Sequence, residues 1–87
     1  INENDFTNIN ISIYPNPVND ILNIHFQNNA DKASVQILDI MGRIFYNEVL
    51  SNINNDLIIN TASMPSGTYI IRVINSNDLL QKSFIKL

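Results

Sequence analysis

Met64-Pro65-Ser66-Gly67-Thr68-Tyr69-Ile70-Ile71-Arg72-Val73-Ile74 is the stretch that decides the fold. Pro65 and Gly67 punctuate a turn. After them the side chains separate into two interleaved sets, Tyr69, Ile71 and Val73 against Ile70, Arg72 and Ile74. A period of two built from β-branched and aromatic residues is a strand signature. Arg72 marks the wet face, because a guanidinium needs water or a partner, and the Tyr69 set is therefore expected inside.

The same pattern extends in both directions. Upstream, Ile9, Ile11 and Ile13 alternate with Asn10 and Ser12, giving a half-buried strand. Tyr14-Pro15-Asn16-Pro17 stops it. Both prolines lack an N–H and hold the residue before them in extended geometry, so the phrase forms a stiff bend. Further strands are expected over 21–26, with Leu22, Ile24 and Phe26 on one face, and over 34–38, with Val35 and Ile37 inward. Others follow at 44–50, 57–60, 69–74 and 79–87. Residues 28–32 read as a loop, 52–55 as a turn-rich break, 61–67 as a crossover and 75–78 as a hairpin loop. Asp39-Ile40-Met41-Gly42-Arg43 reads as a tight hairpin turn, Asp39 at its entry and Gly42 at the left-handed position. Phe26, Tyr69 and Phe84 are expected in the core, and the adjacent Phe45 and Tyr46 on opposite faces. No breaker-free stretch of ten or more residues carries helical periodicity. The fold class is all-β, a small antiparallel β-sandwich of about seven strands, immunoglobulin-like.

At 87 residues the chain is one domain, read as a polar linker over 1–8 and a folded unit over 9–87. The net charge of −3 offers no basic patch for nucleic acid. Apolar runs stay too short to span a bilayer. With no cysteine, disulfides and thiolate metal sites are excluded, and stability rests on packing and sheet pairing. The start carries no basic-apolar-small leader, so the chain is expected to be cut from a longer precursor. Lys82 and Lys86 read as a solvated strand face.

A search for chemistry finds little. His25 is the only histidine and alternates with core candidates, which places it on a solvent face. A triad would need a carboxylate and a nucleophile, and Asp20 and Ser34 have no nucleophile elbow or glycine-rich oxyanion loop around them. Asn54-Asn55-Asp56 has oxygen ligands without the spacing of a calcium loop. No cofactor or metal is expected, and an enzyme is the least favoured class. An accessory adhesion or carbohydrate-binding module is the competing reading; it would require exposed aromatic platforms, and there is no Trp.

The run Tyr14-Pro15-Asn16-Pro17-Val18-Asn19-Asp20-Ile21-Leu22-Asn23-Ile24 resembles the start of the C-terminal sorting domain (type A) carried by cargo of the type IX secretion system of Bacteroidetes. Val35-Gln36-Ile37-Leu38-Asp39-Ile40-Met41-Gly42-Arg43 is similar to that family's strand, Asp and Gly-basic turn. Met64-Pro65-Ser66-Gly67-Thr68-Tyr69 is similar to its Leu-Pro-Ser-Gly-Thr-Tyr block, with Met64 where Leu is commoner. Lys82-Ser83-Phe84-Ile85-Lys86-Leu87 resembles its basic-apolar ending, with Ser83 where many members have a second basic residue. The resemblance implies an address tag and no enzyme. By that resemblance the tag is attached to an N-terminal cargo domain, carried through the periplasm to the outer membrane, recognised by the translocon and commonly removed by a surface sorting peptidase able to join the cargo to lipopolysaccharide. The destination is the cell surface or the medium. Lys82, Phe84, Ile85 and Lys86 are expected to carry recognition. Tyr14, Pro15, Asn16, Pro17, Asp20, Asp39, Gly42, Pro65, Gly67 and Tyr69 are expected to hold the fold.

Overall fold

A computed structural model describes residues 10–27, 30–53, 56–75 and 78–87. The alternating runs become seven strands: β1 (Ile11–Tyr14), β2 (Ile21–Phe26), β3 (Ala30–Asp39), β4 (Ile44–Ile53), β5 (Leu57–Asn60), β6 (Gly67–Ile74) and β7 (Leu79–Lys86). They build a three-stranded sheet, β1-β2-β5, and a four-stranded sheet, β4-β3-β6-β7, with every strand pair antiparallel. Among the described residues there is no helix.

Alternation sets what goes inside. β2 turns Leu22, Ile24 and Phe26 inward, and β1 and β5 add Ile11 and Ile59 in register with them. From the larger sheet, Val35 and Ile37 of β3 lie beside Val73 and Ile71 of β6, and Tyr69 lies beside Phe84 of β7. These side chains make one buried cluster between the sheets. Each fully buried aliphatic side chain contributes roughly 1.5–3 kcal/mol through removal from water, which is how a chain without disulfides holds together.

Several boundaries differ from the sequence reading. β3 begins at Ala30, inside the expected loop, and β4 runs on to Ile53, inside the expected break. The two extensions pair with each other, Ala30 opposite Ile53 and Lys32 opposite Ser51, so cross-strand pairing overrides weak local propensity. Tyr14 completes β1, whereas Ile9 lies outside the described residues, as does the linker over 1–8.

Phe45 and Tyr46 do not split between faces. Ile37 pairs with Tyr46 but Leu38 pairs with Ile44, leaving Phe45 as an extra residue in a β-bulge. A bulge breaks strict alternation and re-aims a side chain. Both rings are half-buried and pack against the core.

The reading of Lys82 and Lys86 as a solvated face is also corrected. On β7 they share the parity of Phe84 and therefore its direction; Lys82 is half-buried and Lys86 is 7% exposed. On β4, Glu48 likewise has the parity of the inward Tyr46. Both edge strands of the larger sheet thus aim charges toward the interior side, a device that discourages pairing with foreign strands.

Candidate recognition site

The registers bring all four motifs to one pole of the sandwich. Asp39, where β3 enters its hairpin, pairs with Tyr69 of β6, and Tyr69 pairs with Phe84 of β7. Gly67 pairs with Lys86, and Lys86 is bridged on its other side by Val18. The PNP segment, the Asp-to-Arg turn, the PSGTY turn and the end of β7 are therefore neighbours in space although they span the chain.

Aromatic contacts form the inner layer of this pole. The Tyr69 ring stacks on Phe84, centroids 5.8 Å apart and planes at 23°, and receives the edge of Phe45 at 5.4 Å and 88°. Both are arrangements that ring quadrupoles favour. The Arg43 guanidinium lies 5.4 Å above the Phe45 ring, a cation–π distance. The Tyr69 hydroxyl donates to the Pro65 carbonyl at 2.5 Å, tying the strand to its own turn in the manner of the tyrosine corner of immunoglobulin-like sandwiches. Gly67 at φ +154° and Gly42 at φ +90° occupy backbone conformations that other residues adopt only with strain.

The PNP segment acts on the outer edge of β7. Val18 N–H donates to the Ile85 carbonyl at 2.8 Å, and Leu87 N–H donates to the Val18 carbonyl at 2.9 Å. Between them Ile85 N–H donates to Asn16 Oδ1 at 2.9 Å. Asn16 substitutes a side-chain acceptor for a strand carbonyl, and Pro15 and Pro17, with no N–H, keep the contact from growing into a full ladder. The peptide bonds preceding both prolines are cis. Farther along the same edge, the outward main-chain groups of Gln81 and Ser83 have no main-chain partner among the described residues. The edge of β7 is thus closed at the pole and open beyond it.

Asp20 and the crossover are anchored together: the Asp20 carbonyl accepts from Thr61 N–H at 2.6 Å and from the buried Thr61 hydroxyl at 2.7 Å. The hairpin turn is held by Asp39. Its Oδ1 accepts Met41 N–H at 2.9 Å and Arg43 N–H at 2.8 Å, and its Oδ2 accepts Arg43 Nε at 3.2 Å. The hydrogen bond from the Arg43 backbone, joined by those from Met41 and the Arg43 side chain, outweighs desolvation and holds this carboxyl below its ordinary value of 3.8.

Among the four residues expected to carry recognition, Ile85 is well exposed and Lys82 is half-buried. Phe84 and Lys86 do not lie at the surface. Phe84 is 1% exposed inside the aromatic stack, and Lys86 is buried with its Nζ donating to the Leu87 carbonyl at 2.9 Å. Alternation forces this: a strand that sends Phe84 inward sends Lys82 and Lys86 the same way.

The sequence reading also missed a polar pair on the outer face of the smaller sheet. His25 Nδ1 lies 2.6 Å from Asp56 Oδ1, both exposed, and the Tyr14 hydroxyl is 3.4 Å from Asp56 Oδ2. Asp20 is not the partner of His25, and Ser34 lies on the other sheet. The histidine and Asp56 are far apart in sequence, and only strand pairing across β2 and β5 reveals them. Among the described residues no group of three or more His, Cys, Asp or Glu side chains could hold a metal ion. No helix of the described residues is long and apolar enough to cross a membrane.

Comparison with known proteins agrees with this architecture. A crystal structure of a DUF3244-family protein from Bacteroides vulgatus, with an immunoglobulin-like β-sandwich fold, superposes with a TM-score of 0.77 at 15% identity, over 98% of this chain and 88% of that one. At that identity the likeness concerns the fold alone. No curated protein matches the chain by sequence. The family described as "Secretion system C-terminal sorting domain" matches residues 12–87, which includes all four motifs. The chain that gathers its PNP bend, Asp-to-Arg turn, PSGTY turn and final strand at one pole therefore belongs to the C-terminal sorting domains of the type IX secretion system.

Proposed function

We propose that this domain is a non-enzymatic address: it directs a cargo domain of the same precursor through the type IX translocon to the cell surface or the medium, and a surface sorting peptidase then removes it. The observation that carries this reading is the convergence of the four motifs on one pole around the end of β7. A catalytic domain gathers reactive groups; this one gathers turn formers, ring stacks and an edge cap. The sugar-binding alternative lacks its platform, since Tyr14 is the one well-exposed aromatic side chain among the described residues.

In this reading Ile85 and the half-buried Lys82 meet the translocon directly. Phe84 and Lys86 act from beneath, by fixing the strand that carries them. The open edge at Gln81 and Ser83 offers main-chain groups for strand addition. Cleavage falls in the polar stretch 1–8, ahead of the folded unit.

The test is a fusion of the chain behind an exported fluorescent protein in a type IX-competent strain. The intact fusion is expected outside the cell, and deletion of residues 82–87 is expected to hold it in the periplasm. An intact fusion retained in the periplasm would overturn the address role. Normal delivery after the deletion would overturn the assignment of recognition to β7.

A further inference from the structure

The hairpin between β3 and β4 displays two large apolar side chains that the fold does not use. Ile40 is 72% exposed and Met41 85% exposed, on a turn held by five hydrogen bonds. The Asp39 carboxylate takes three hydrogen bonds, from the Met41 N–H, the Arg43 N–H and the Arg43 side chain, while Gly42 N–H donates to the Asp39 carbonyl at 3.0 Å and Asp39 N–H to the Arg43 carbonyl at 2.9 Å. Scattered exposed aliphatics need no explanation, but a rigid turn that presents two adjacent ones has already met the entropic cost of ordering them for a partner.

The tip continues into an apolar strip on the outer face of the larger sheet. Leu38 is buried there although it lies outside the core cluster, flanked across the sheet by the exposed Ile44 on β4 and the half-buried Ile70 on β6. Ile85 stands on the same face, opposite Thr68 of β6. Beside the tip, Arg43 is 74% exposed, its Nε paired with Asp39 and its guanidinium over the Phe45 ring, which leaves its terminal nitrogens directed outward.

We propose that Ile40 and Met41 form a knob that enters an apolar recess on a protein partner, with Arg43 facing a carboxylate at the rim of that recess. This rests on the address reading and adds a second contact to it, distant in sequence from β7 but on the same pole. The partner is a protein and not a lipid surface: the chain carries a net charge of −3, and a single cation beside the tip is far from the basic cluster that holds a surface helix or loop on anionic lipid. An apolar pair with one fixed cation fits the anatomy of a small hot spot, with a dry centre and a charged rim.

The same reporter fusion tests the knob. The double variant Ile40→Ser/Met41→Ser removes the apolar groups at exposed positions, and its purified domain is expected to melt within a few degrees of the parent. Surface delivery is expected to fall about tenfold or more, the scale on which an apolar hot spot is lost, with intact reporter accumulating in the periplasm. Ile40→Leu/Met41→Leu is expected to retain delivery, and Arg43→Glu to lower it while Arg43→Lys does not. If the parent fusion is delivered and the serine variant is delivered equally well, the knob is refuted while the address role stands; if the parent fusion is itself retained, the address role fails first. Delivery that is indifferent to the charge at position 43 would refute the carboxylate rim. Co-sedimentation of the parent domain with phosphatidylcholine–phosphatidylglycerol vesicles, lost in the serine variant, would overturn the protein partner in favour of lipid.

Discussion

Tyr69 ties two rings and a turn together through one side chain. Its ring touches Phe45 and Phe84, and its hydroxyl is tied to Pro65. Tyr69→Ala is expected to destabilise the domain by about 3–5 kcal/mol, and Tyr69→Phe, which keeps the ring and leaves the Pro65 carbonyl without its donor, by about 0.5–1.5 kcal/mol. Urea denaturation of the two variants against the parent measures both numbers. Equal losses would show that the hydroxyl, and not the ring, is the main tie. Two ionisable groups add pH signatures. Burial, helped by the hydrogen bond to Glu48 and its charge, pushes the Tyr46 phenol from 10.0 up to about 12. Because the folded value is the higher one, this stabilisation is complete below pH 10 and drains away as the pH rises toward 12. An ultraviolet titration is expected to show the Tyr46 phenol ionising late, and Glu48→Gln to bring it partway back. Asp39 has the opposite sign: its folded value lies below 3.8, so its contribution is full above that and is lost as the pH falls through the folded value. Asp39→Asn is expected to remove that part of the acid sensitivity, which melting curves across the acid range would reveal. At this scale the inward Tyr69 set was legible from Arg72 alone. The direction of Lys86 was legible too, by counting two residues from Phe84, but charge argued for water and parity for the interior. Parity won, because a long lysine stem can lie along apolar surface while its ammonium finds a carbonyl.

Among the elements, β7 is the one whose two edges differ. β6 covers one edge throughout, while Asn16 and Val18 cover only the last residues of the other. Amide hydrogen exchange is expected to show protection at Ile85 and Leu87 and fast exchange at Gln81 and Ser83, whose N–H groups point to the open part of the edge. Asn16→Ala is expected to release Ile85 selectively; protection of Ile85 that survives this change would contradict the cap. Gly67→Val forces a β-branched residue into a positive-φ position at the start of β6 and is expected to cost on the order of 1–3 kcal/mol, read from the same denaturation series. The strands themselves were readable because alternation is a local signal, and β2 and β5 match their expected limits. The bulge at Phe45 and the extended ends of β3 and β4 were not readable, since each depends on which residue stands opposite on the neighbouring strand. The bridge from Val18 to Lys86 joins residues 68 positions apart and leaves no local mark beyond the prolines that keep it short.

For the whole molecule, four motifs dispersed along 87 residues become one surface region with an aromatic interior, a capped strand end and an apolar tip. The motifs could be recognised singly in the sequence; their meeting at one pole requires the sheet order β4-β3-β6-β7 and the registers within it. On the proposed reading the signal is a shape, and residues 82–87 detached from the scaffold beneath them are expected to be insufficient for delivery. Tyr69→Ala separates the two possibilities, because it breaks the scaffold and leaves every residue of β7 in place. The decisive measurement is surface delivery of the reporter fused to the Tyr69→Ala domain, with immunoblots confirming that the fusion is made and exported to the periplasm intact. A folded signal requires that delivery be lost; delivery at the parental level would mean that the final residues are recognised as a linear peptide.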